Sequence, residues 1–375
     1  MRPEVGLVFP AAHRQGGVER VVHDVAGRLA ERRSVAFVGL DYDEPSEGVD
    51  FWRVPGGASS SSPSAFRAAA AELLAVRRPE VVISNGVNCP PGDVLWVHSV
   101  HRSWVESGSS VRVRGLPVPA AVRRLVPRHR ELLRLEREYF TQHRPRAVLC
   151  TSPREKDDLA RLYGVDRELM HVVPNGFDGR RFDVRTRAAT RPAARIELGL
   201  EDGDVCLLFV ANELHRKGFS VLLQAVALAS DPRLRIDVVG RVSPVAFQGQ
   251  IEHLGLTRRV RWHGPTSQVE RWMAAGDLLV LPTQYEPFGL VVVEALAMGL
   301  PVITTALAGA APAVSPGTGL LQQDPHDSHE LAGLLLAALT PGLLEQWSAA
   351  APSAAASYEW SAILESVEGL IFGAA

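Results

Sequence analysis

The sequence predicts an α/β protein made of two doubly wound parallel-sheet domains, on three observations. Short apolar runs alternate with helical stretches, which implies parallel sheets with helices on their faces. The runs are unbroken rather than interleaved with polar residues, as strands covered on both faces require. They fall into two sets, and 375 residues suffice for two cores.

The first set is Val5–Phe9, Val35–Leu40, Val81–Ser84, Val94–His98 and Ala147–Thr151. The second is Val205–Ala211, Arg235–Val239, Val260–His263, Leu278–Leu281 and Val302–Thr304. Between them Arg180–Arg195 is rich in Arg, Ala and Thr without a clear period and reads as a linker. The expected domains are therefore 1–185 and 195–356.

A net charge of −2 and near-half hydrophobic content describe a soluble globular protein and exclude a nucleic-acid binder. No apolar stretch reaches the roughly 18 residues of a membrane span. Arg2 and Glu4 flank the strand-like VGLVF, so no basic region precedes a long apolar run, and a cytoplasmic location is expected. Cys89, Cys150 and Cys206 are odd in number and widely spaced, as reduced thiols outside any metal-ligand pattern would be.

The most informative stretch is Gln284–Thr305, QYEPFGLVVVEALAMGLPVITT. Pro287 keeps Glu286 out of a helix. Leu290, Val293, Ala297 and Met298 recur at helical spacing, so Leu290–Met298 is a short buried helix. Gly299 and Pro301 end it, and Val302–Thr304 is a strand. Two carboxylates remain in this apolar setting, Glu286 and Glu294. Buried carboxylates need hydroxyl or amide partners, and a sugar nucleotide offers hydroxyls at both ends. The alternative is a loop charge and a surface helix residue.

Other candidates stand where strands meet helices. Gly16 and Gly17 precede a helix from Val18, where free amides favour an anion. A plain turn is the alternative, and neither a dinucleotide fingerprint nor a P-loop is present. His98 ends the strand LWVHS, at the edge where open α/β sheets bind ligands, with His101 and Trp104 following. A structural histidine is the alternative. Arg216 and Lys217 lie between the strand ending at Ala211 and the helix Gly218–Ala229, placed to converge on a diphosphate or to remain solvated charges.

Thr151-Ser152-Pro153 with Glu155 is a helix start, Asn175-Gly176 a turn, and Ser59–Ser62 with Pro63 a low-complexity loop. In Val111–Arg137, Arg112, Arg114, Arg123, Arg124, Arg128, Arg130, Arg134 and Arg137 face only Glu131 and Glu136, with leucines and valines interleaved. Glu131–Phe140 reads as a helix packed by its leucines. Val111–Arg128 is expected to border the acceptor site and touch an anionic membrane surface.

These runs resemble the retaining family 4 glycosyltransferases over essentially the whole chain. Glu286 and Glu294 match the family's E-x7-E segment, GGVERVV its glycine-rich first loop and VVPNGFD the close of its first domain. The HRKG run matches its phosphate segment in the form of the bacterial lipopolysaccharide core glucosyltransferases. The family's glycine near Ala211 or Asn212 is missing. The resemblance implies the GT-B fold, two such domains facing across a cleft. The first would be the acceptor side, 195–356 would bind the nucleotide sugar, and 357–375, with its helix Tyr358–Phe372, would pack back on the first domain.

The resemblance further implies that Glu286, Phe288, Gly289 and Leu290 hold the donor hexose and Glu294 the nucleotide ribose. Arg216 and Lys217 would neutralise the leaving diphosphate, with Gly16 and Gly17 near it. His98 would contact the sugar, and Arg241, Val242, Pro265 and Val269 would enclose the base. The implied activity is retaining transfer of a hexose-type sugar from a UDP- or GDP-linked donor to a hydroxyl of a glycan, glycolipid or natural product. The acceptor would attack on the face of the leaving phosphate, which takes the proton. Asp41-Tyr42-Asp43 and Asp202-Gly203-Asp204 imitate a metal-binding D-x-D but are not placed to meet a diphosphate, so no metal or other cofactor is expected. The alternatives are a sugar-nucleotide epimerase of the same fold and a non-catalytic sugar-nucleotide or membrane-surface binding protein.

Overall fold

The computed structural model describes residues 2–14, 16–56, 62–107, 112–113 and 116–373, with the backbone alone at 112–113 and 116–117. The described chain divides into two compact units, one reaching Gly176 and taking back Trp360 onward, the other spanning Phe177–Glu359.

The first unit holds a seven-stranded parallel sheet. Its strands are β1 (Val5–Val8), β2 (Val35–Gly39), β3 (Val49–Arg53), β4 (Val81–Ser84), β5 (Val94–Val97), β6 (Ala147–Cys150) and β7 (Met170–Val172). The order across the sheet is β7-β6-β5-β4-β1-β2-β3. The second unit holds six parallel strands, β8 (Val205–Val210), β9 (Leu234–Val239), β10 (Val260–Trp262), β11 (Leu278–Leu281), β12 (Val302–Thr305) and β13 (Gly319–Gln322), in the order β10-β9-β8-β11-β12-β13. Both orders reverse direction beside the first strand of the unit, which leaves a crevice at the carboxyl ends of the strands flanking the reversal. In the first unit that point lies at β1 and β4, and in the second at β8 and β11.

The helices are α1 (Val18–Ala30), α2 (Pro63–Arg77), α3 (His101–Glu106), α4 (Ala120–Arg123), α5 (Pro127–Gln142), α6 (Pro153–Tyr163) and α7 (Val184–Glu197). They continue with α8 (Phe219–Ala229), α9 (Gln248–His253), α10 (Val269–Ala275), α11 (Leu290–Ala297), α12 (Ser328–Ala338), α13 (Leu343–Ala355) and α14 (Trp360–Phe372). α6 starts as its sequence dictates: the Ser152 hydroxyl accepts from the Glu155 amide at 3.3 Å, with Pro153 in the first turn.

The expected linker Arg180–Arg195 is not one. Most of it is α7, which belongs to the second unit, so the boundary falls at Phe177 rather than after residue 185. Pro192 inside the helix hid the period. The signal was the spacing of Arg187, Arg191 and Arg195, four apart on one helix face. Arg187 donates to the Gly276 and Gly299 carbonyls at 2.9 and 3.0 Å, and Arg191 and Arg195 both pair with Asp277.

Two edge strands, β3 and β13, also escaped the sequence reading, because each is only partly covered. The Ser-rich loop lies outside the described residues apart from Ser62, whose hydroxyl caps α2 by accepting from Ala65 at 3.1 Å. α14 is an element of the first unit. Trp360 is fully buried, Arg33 donates to Glu368 at 3.2 Å, and Arg146 donates to the Ile371 carbonyl at 2.5 Å. Gly176 lies so close to the Trp360 ring that a Cβ there would stand 2.5 Å from it.

Glu155 gives the first unit a pH dependence. Its Oε2 accepts from the Thr151 amide and hydroxyl at 2.7 and 2.6 Å, while Oε1 has no partner among the described residues. Burial pushes its pKa from 4.5 up to about 8. The folded state thus holds a proton that the unfolded chain releases, so this stability is complete below pH 4.5 and is lost as pH rises through 8. Linkage bounds the loss at about 5 kcal/mol. Thermal unfolding at pH 5 and pH 9 should show Glu155→Gln losing much less Tm than the wild type; equal losses would contradict the assignment.

Candidate active site

The reversal point of the second sheet gathers the charged candidates. The chain leaves β8 into a loop ending in Arg216 and Lys217, and leaves β11 into Thr283–Phe288. The two loops are locked together. Gln284 donates its amide to the Arg216 carbonyl at 2.9 Å, and Thr283 Oγ1 donates to it at 3.3 Å. Gly218 has φ +79°, and a Cβ there would lie 1.9 Å from the Pro282 carbonyl oxygen. Only glycine permits that approach.

Within this lock Arg216 Nη1 donates to the Tyr285 carbonyl at 2.6 Å and reaches Glu286 Oε2 at 3.5 Å, while its Nε donates to Glu213 at 2.9 Å. Lys217 Nζ contacts the same Glu286 oxygen. Lys217 and Glu286 are both buried. Burial, and after it the Arg216 charge, hold the Lys217 ammonium well below the ordinary lysine range, with Glu213 opposing. Arg216, whose other partner is Glu213, and Lys217 thus meet at one buried carboxylate.

The Glu286 loop is pinned from its other side. Gly309 donates to the Glu286 carbonyl at 3.0 Å and Ala310 to that of Phe288 at 2.7 Å. Phe288 is buried with its ring 6.2 Å from Tyr358, and Gly289 begins α11 with φ +98°. Leu290 is half-buried at the start of that helix. Glu294 lies in α11 and is 2 % exposed, so the surface-charge reading of this residue is wrong.

Arg241 and Val242 follow β9. The Arg241 amide donates to Asn212 Oδ1 at 2.8 Å, and Gly240 donates to the Gly264 carbonyl at 2.9 Å, which ties the ends of β8, β9 and β10 together. Arg241 and Pro265 are exposed, while Val242 and Val269 pack on the core edge. The second unit therefore collects Arg216, Lys217 and Glu286 in one contact cluster, sets Arg241, Val242, Pro265, Phe288 and Gly289 on loops, and places Val269 in α10 and Leu290 and Glu294 in α11.

The first unit carries Gly16, Gly17 and His98. The two glycines are exposed just before α1, and Gly16 has φ +102°. His98 is buried and stacked on Trp96, with ring centroids 5.6 Å apart. Asn85, at the end of β4, donates Nδ2 to the Val8 carbonyl at 3.3 Å and so turns its oxygen to His98 Nε2, 3.2 Å away. His98 must donate there, which leaves Nδ1 as an acceptor, without a partner among the described residues. Burial lowers the His98 pKa from 6.5 to about 3, so the ring is neutral near pH 7.

Sequence reading missed Asn85, Tyr285, Glu213 and Asn212. Asn85 precedes Gly86 at the end of β4, on the edge where ligands bind, and that position was its signal. His101 is not solvated loop: it opens α3, with its amide donated to the buried Glu136 at 2.7 Å. Among the basic residues Arg123 is 1 % exposed, so it is not a surface charge, and Arg124 pairs with Glu106 at 2.7 Å.

Comparison with known proteins agrees with both halves of this description. Residues 15–181 match the profile described as Glycosyltransferase Family 4, and residues 190–353 match Glycosyl transferases group 1. The chain belongs to glycosyltransferase family 4. It is 28 % identical over 255 residues to the lipopolysaccharide glucosyltransferase WaaG of Escherichia coli K12, covering 67 % of this chain and 68 % of that one.

A D-inositol 3-phosphate glycosyltransferase of Streptomyces griseus is 34 % identical over 238 residues, or 57 % of this chain. The chain spans from about half to about two thirds of the length of the curated relatives with that name that it matches. In fold it is similar to the WaaG crystal structure, with a TM-score of 0.84 at 22 % identity, covering 99 % of this chain and 100 % of that one. Anabaena Alr3699/HepE, crystallised with UDP-glucose, gives 0.76 at 18 % identity, covering 99 % and 100 %. The fold class is therefore GT-B.

The lock at Gly218 is open to test. Gly218→Ala should cost roughly 2 kcal/mol or more, read as a lower urea midpoint, since it adds a clash to an unfavourable φ. An unchanged midpoint would mean that the loops do not need this approach.

Proposed function

We propose that this family 4 member is a retaining glycosyltransferase that moves a hexose-type sugar from a nucleotide diphosphate sugar to a hydroxyl acceptor. The observation that carries the reading is the Arg216–Lys217–Glu286 cluster at the reversal point of the second sheet. As the bond to the anomeric carbon breaks, negative charge builds on the departing diphosphate. Arg216 and Lys217 are fixed cations, held by short contacts before substrate arrives, and such preorganised charge favours the transition state over the ground state.

Glu286 holds Lys217 in place and orients sugar hydroxyls, Phe288, Gly289 and Leu290 border the hexose, and Glu294 takes the ribose. Arg241, Val242, Pro265 and Val269 surround the base. Gly16, Gly17 and His98 act on the donor from the first unit. His98 does so as a neutral hydrogen-bond acceptor through Nδ1, a role suited to a hydroxyl and unsuited to an oxyanion. The leaving phosphate takes the acceptor proton. The donor is UDP- or GDP-linked, and UDP-glucose is the first to test.

Three outcomes test this reading. Lys217→Gln removes the charge and keeps an N–H for Glu286, so the fold should survive while kcat falls about 10²- to 10³-fold; a near-normal rate would overturn the role of Lys217. Slow donor hydrolysis followed by NMR should release sugar with retained anomeric configuration. Inverted product would exclude the retaining mechanism, epimerised donor would favour an epimerase, and no turnover with tight binding would favour a binding protein. Since Arg216 and Lys217 supply the neutralising charge, full rate should persist in EDTA; a loss restored by a divalent cation would contradict that.

The chain also touches anionic membrane through 111–128 in this proposal. No helix among the described residues is long and apolar enough to cross a membrane. Val122, Leu125 and Val126 are 51, 68 and 40 % exposed, beside the exposed Arg124 and Arg128. Apolar residues ringed by cations suit a peripheral, cytoplasmic-face contact. Flotation with anionic liposomes at low salt should weaken on Leu125→Glu with Arg124→Glu, and identical partitioning would remove the membrane contact.

A further inference from the structure

Arg123 has no part in the donor site, yet it is held in an unusual way. It ends α4 and is 1 % exposed, but its Nε and Nη1 have no hydrogen-bond partner among the described residues. Its neighbours Val122 and Arg124 are exposed, so the guanidinium lies just beneath the surface. A covered guanidinium without an acceptor is costly and rare in folded proteins, and an unfilled ligand position is one of its few explanations.

The nearby carboxylates are already engaged. Glu106 pairs with Arg102 and Arg124 at 3.0 and 2.7 Å. Glu136 accepts from the His101 and Arg102 amides at 2.7 and 3.0 Å and from the Tyr163 hydroxyl.

The surroundings point to the missing partner. α3 packs against both α4 and α5, and brings His101 and Trp104, stacked with centroids 5.6 Å apart and planes within 13°. His129, in the first turn of α5, has its centroid 4.9 Å from that of Trp104 and its Nδ1 3.2 Å from His101 Nε2. The charges on Arg123 and Arg128 both bear on His129, and Arg128 and His129 bear on His101. Burial first, and then these like charges, hold both imidazoles below their ordinary range. The two guanidinium charges bear on this hydrogen-bonded imidazole pair, and an anion among them would offset those charges.

We propose that Arg123, Arg128 and His129, beside the face of Trp104, form a subsite for a phosphate monoester carried by the acceptor. A phosphate has three terminal oxygens arranged tetrahedrally, and here the donors come from two helices. A carboxylate would be satisfied by one guanidinium fork in a plane. That the phosphate belongs to an acceptor rests on the glycosyl-transfer reading; that the site binds phosphate does not.

The test is titration calorimetry of the full chain at constant ionic strength with inorganic phosphate, glucose 6-phosphate and UDP. Flotation with vesicles containing phosphatidic acid is run in parallel. The wild type should bind the phosphate ester, Arg123→Met should weaken it tenfold or more, and UDP affinity should not change. Arg123→Met should also match or exceed the wild-type Tm without ligand, since a covered unpaired charge has gone. If that variant fails to fold, the exposed Arg128→Ala and His129→Asn should show the same loss.

Binding of glucose 6-phosphate identifies a soluble ester, and binding of the vesicles alone identifies a lipid-borne one; either supports the subsite if it depends on Arg123, or on His129 where Arg123→Met does not fold. Wild-type affinity for phosphate in the variants, or no phosphate binding by the wild type from either source, overturns it. Failure of UDP alone would count against the donor reading and leave this subsite standing.

Discussion

The account depends on one close approach, that of the Gly218 backbone to the Pro282 carbonyl. It joins the loop that follows the first strand of the second sheet to the loop that follows its fourth. Those are the strands between which the sheet order reverses, so helices leave in opposite directions and a gap opens above them. Without the lock Arg216 and Lys217 would be two solvated cations on a turn. With it Arg216 is held between Glu213 and Glu286, and Lys217 is held against Glu286. A buried ion cluster of this kind contributes little to stability by itself.

The same design recurs in the first unit with different chemistry. Its sheet reverses at β1 and β4, and the chain leaving β4 supplies Asn85, which fixes how the His98 ring is protonated. The second unit holds the charged cluster, and the first holds a neutral, oriented imidazole. Buried carboxylates organise the surroundings: Glu136 caps the start of α3, and Glu155 holds the start of α6. Their role is to fix backbone, and neither needs to reach a substrate.

What was legible in the sequence is what local chemistry decides. Pro287, Gly299 and Pro301 bracket a helix that the apolar period already marks, and the strands read as unbroken Val, Leu and Ile runs. Arg216, Lys217, Glu286 and Glu294 were legible because charge in an apolar stretch at a strand end is uncommon. Contacts between residues far apart in sequence were not. α7 looked like a linker because its stability comes from arginines reaching carbonyls and Asp277 about 80 or more residues away, a pairing no window of sequence contains. Arg123 looked like a surface charge because its burial comes from tertiary packing, with α3 against α4, and Asn85 drew no notice because its partner lies one strand over.

The most direct measurement is a crystal structure of the chain with UDP or a non-hydrolysable UDP-sugar bound. The diphosphate is expected in contact with Arg216 and Lys217, with the ribose hydroxyls on Glu294. A nucleotide bound elsewhere, or phosphates turned away from Arg216 and Lys217, would contradict the claim that this pair exists to receive them.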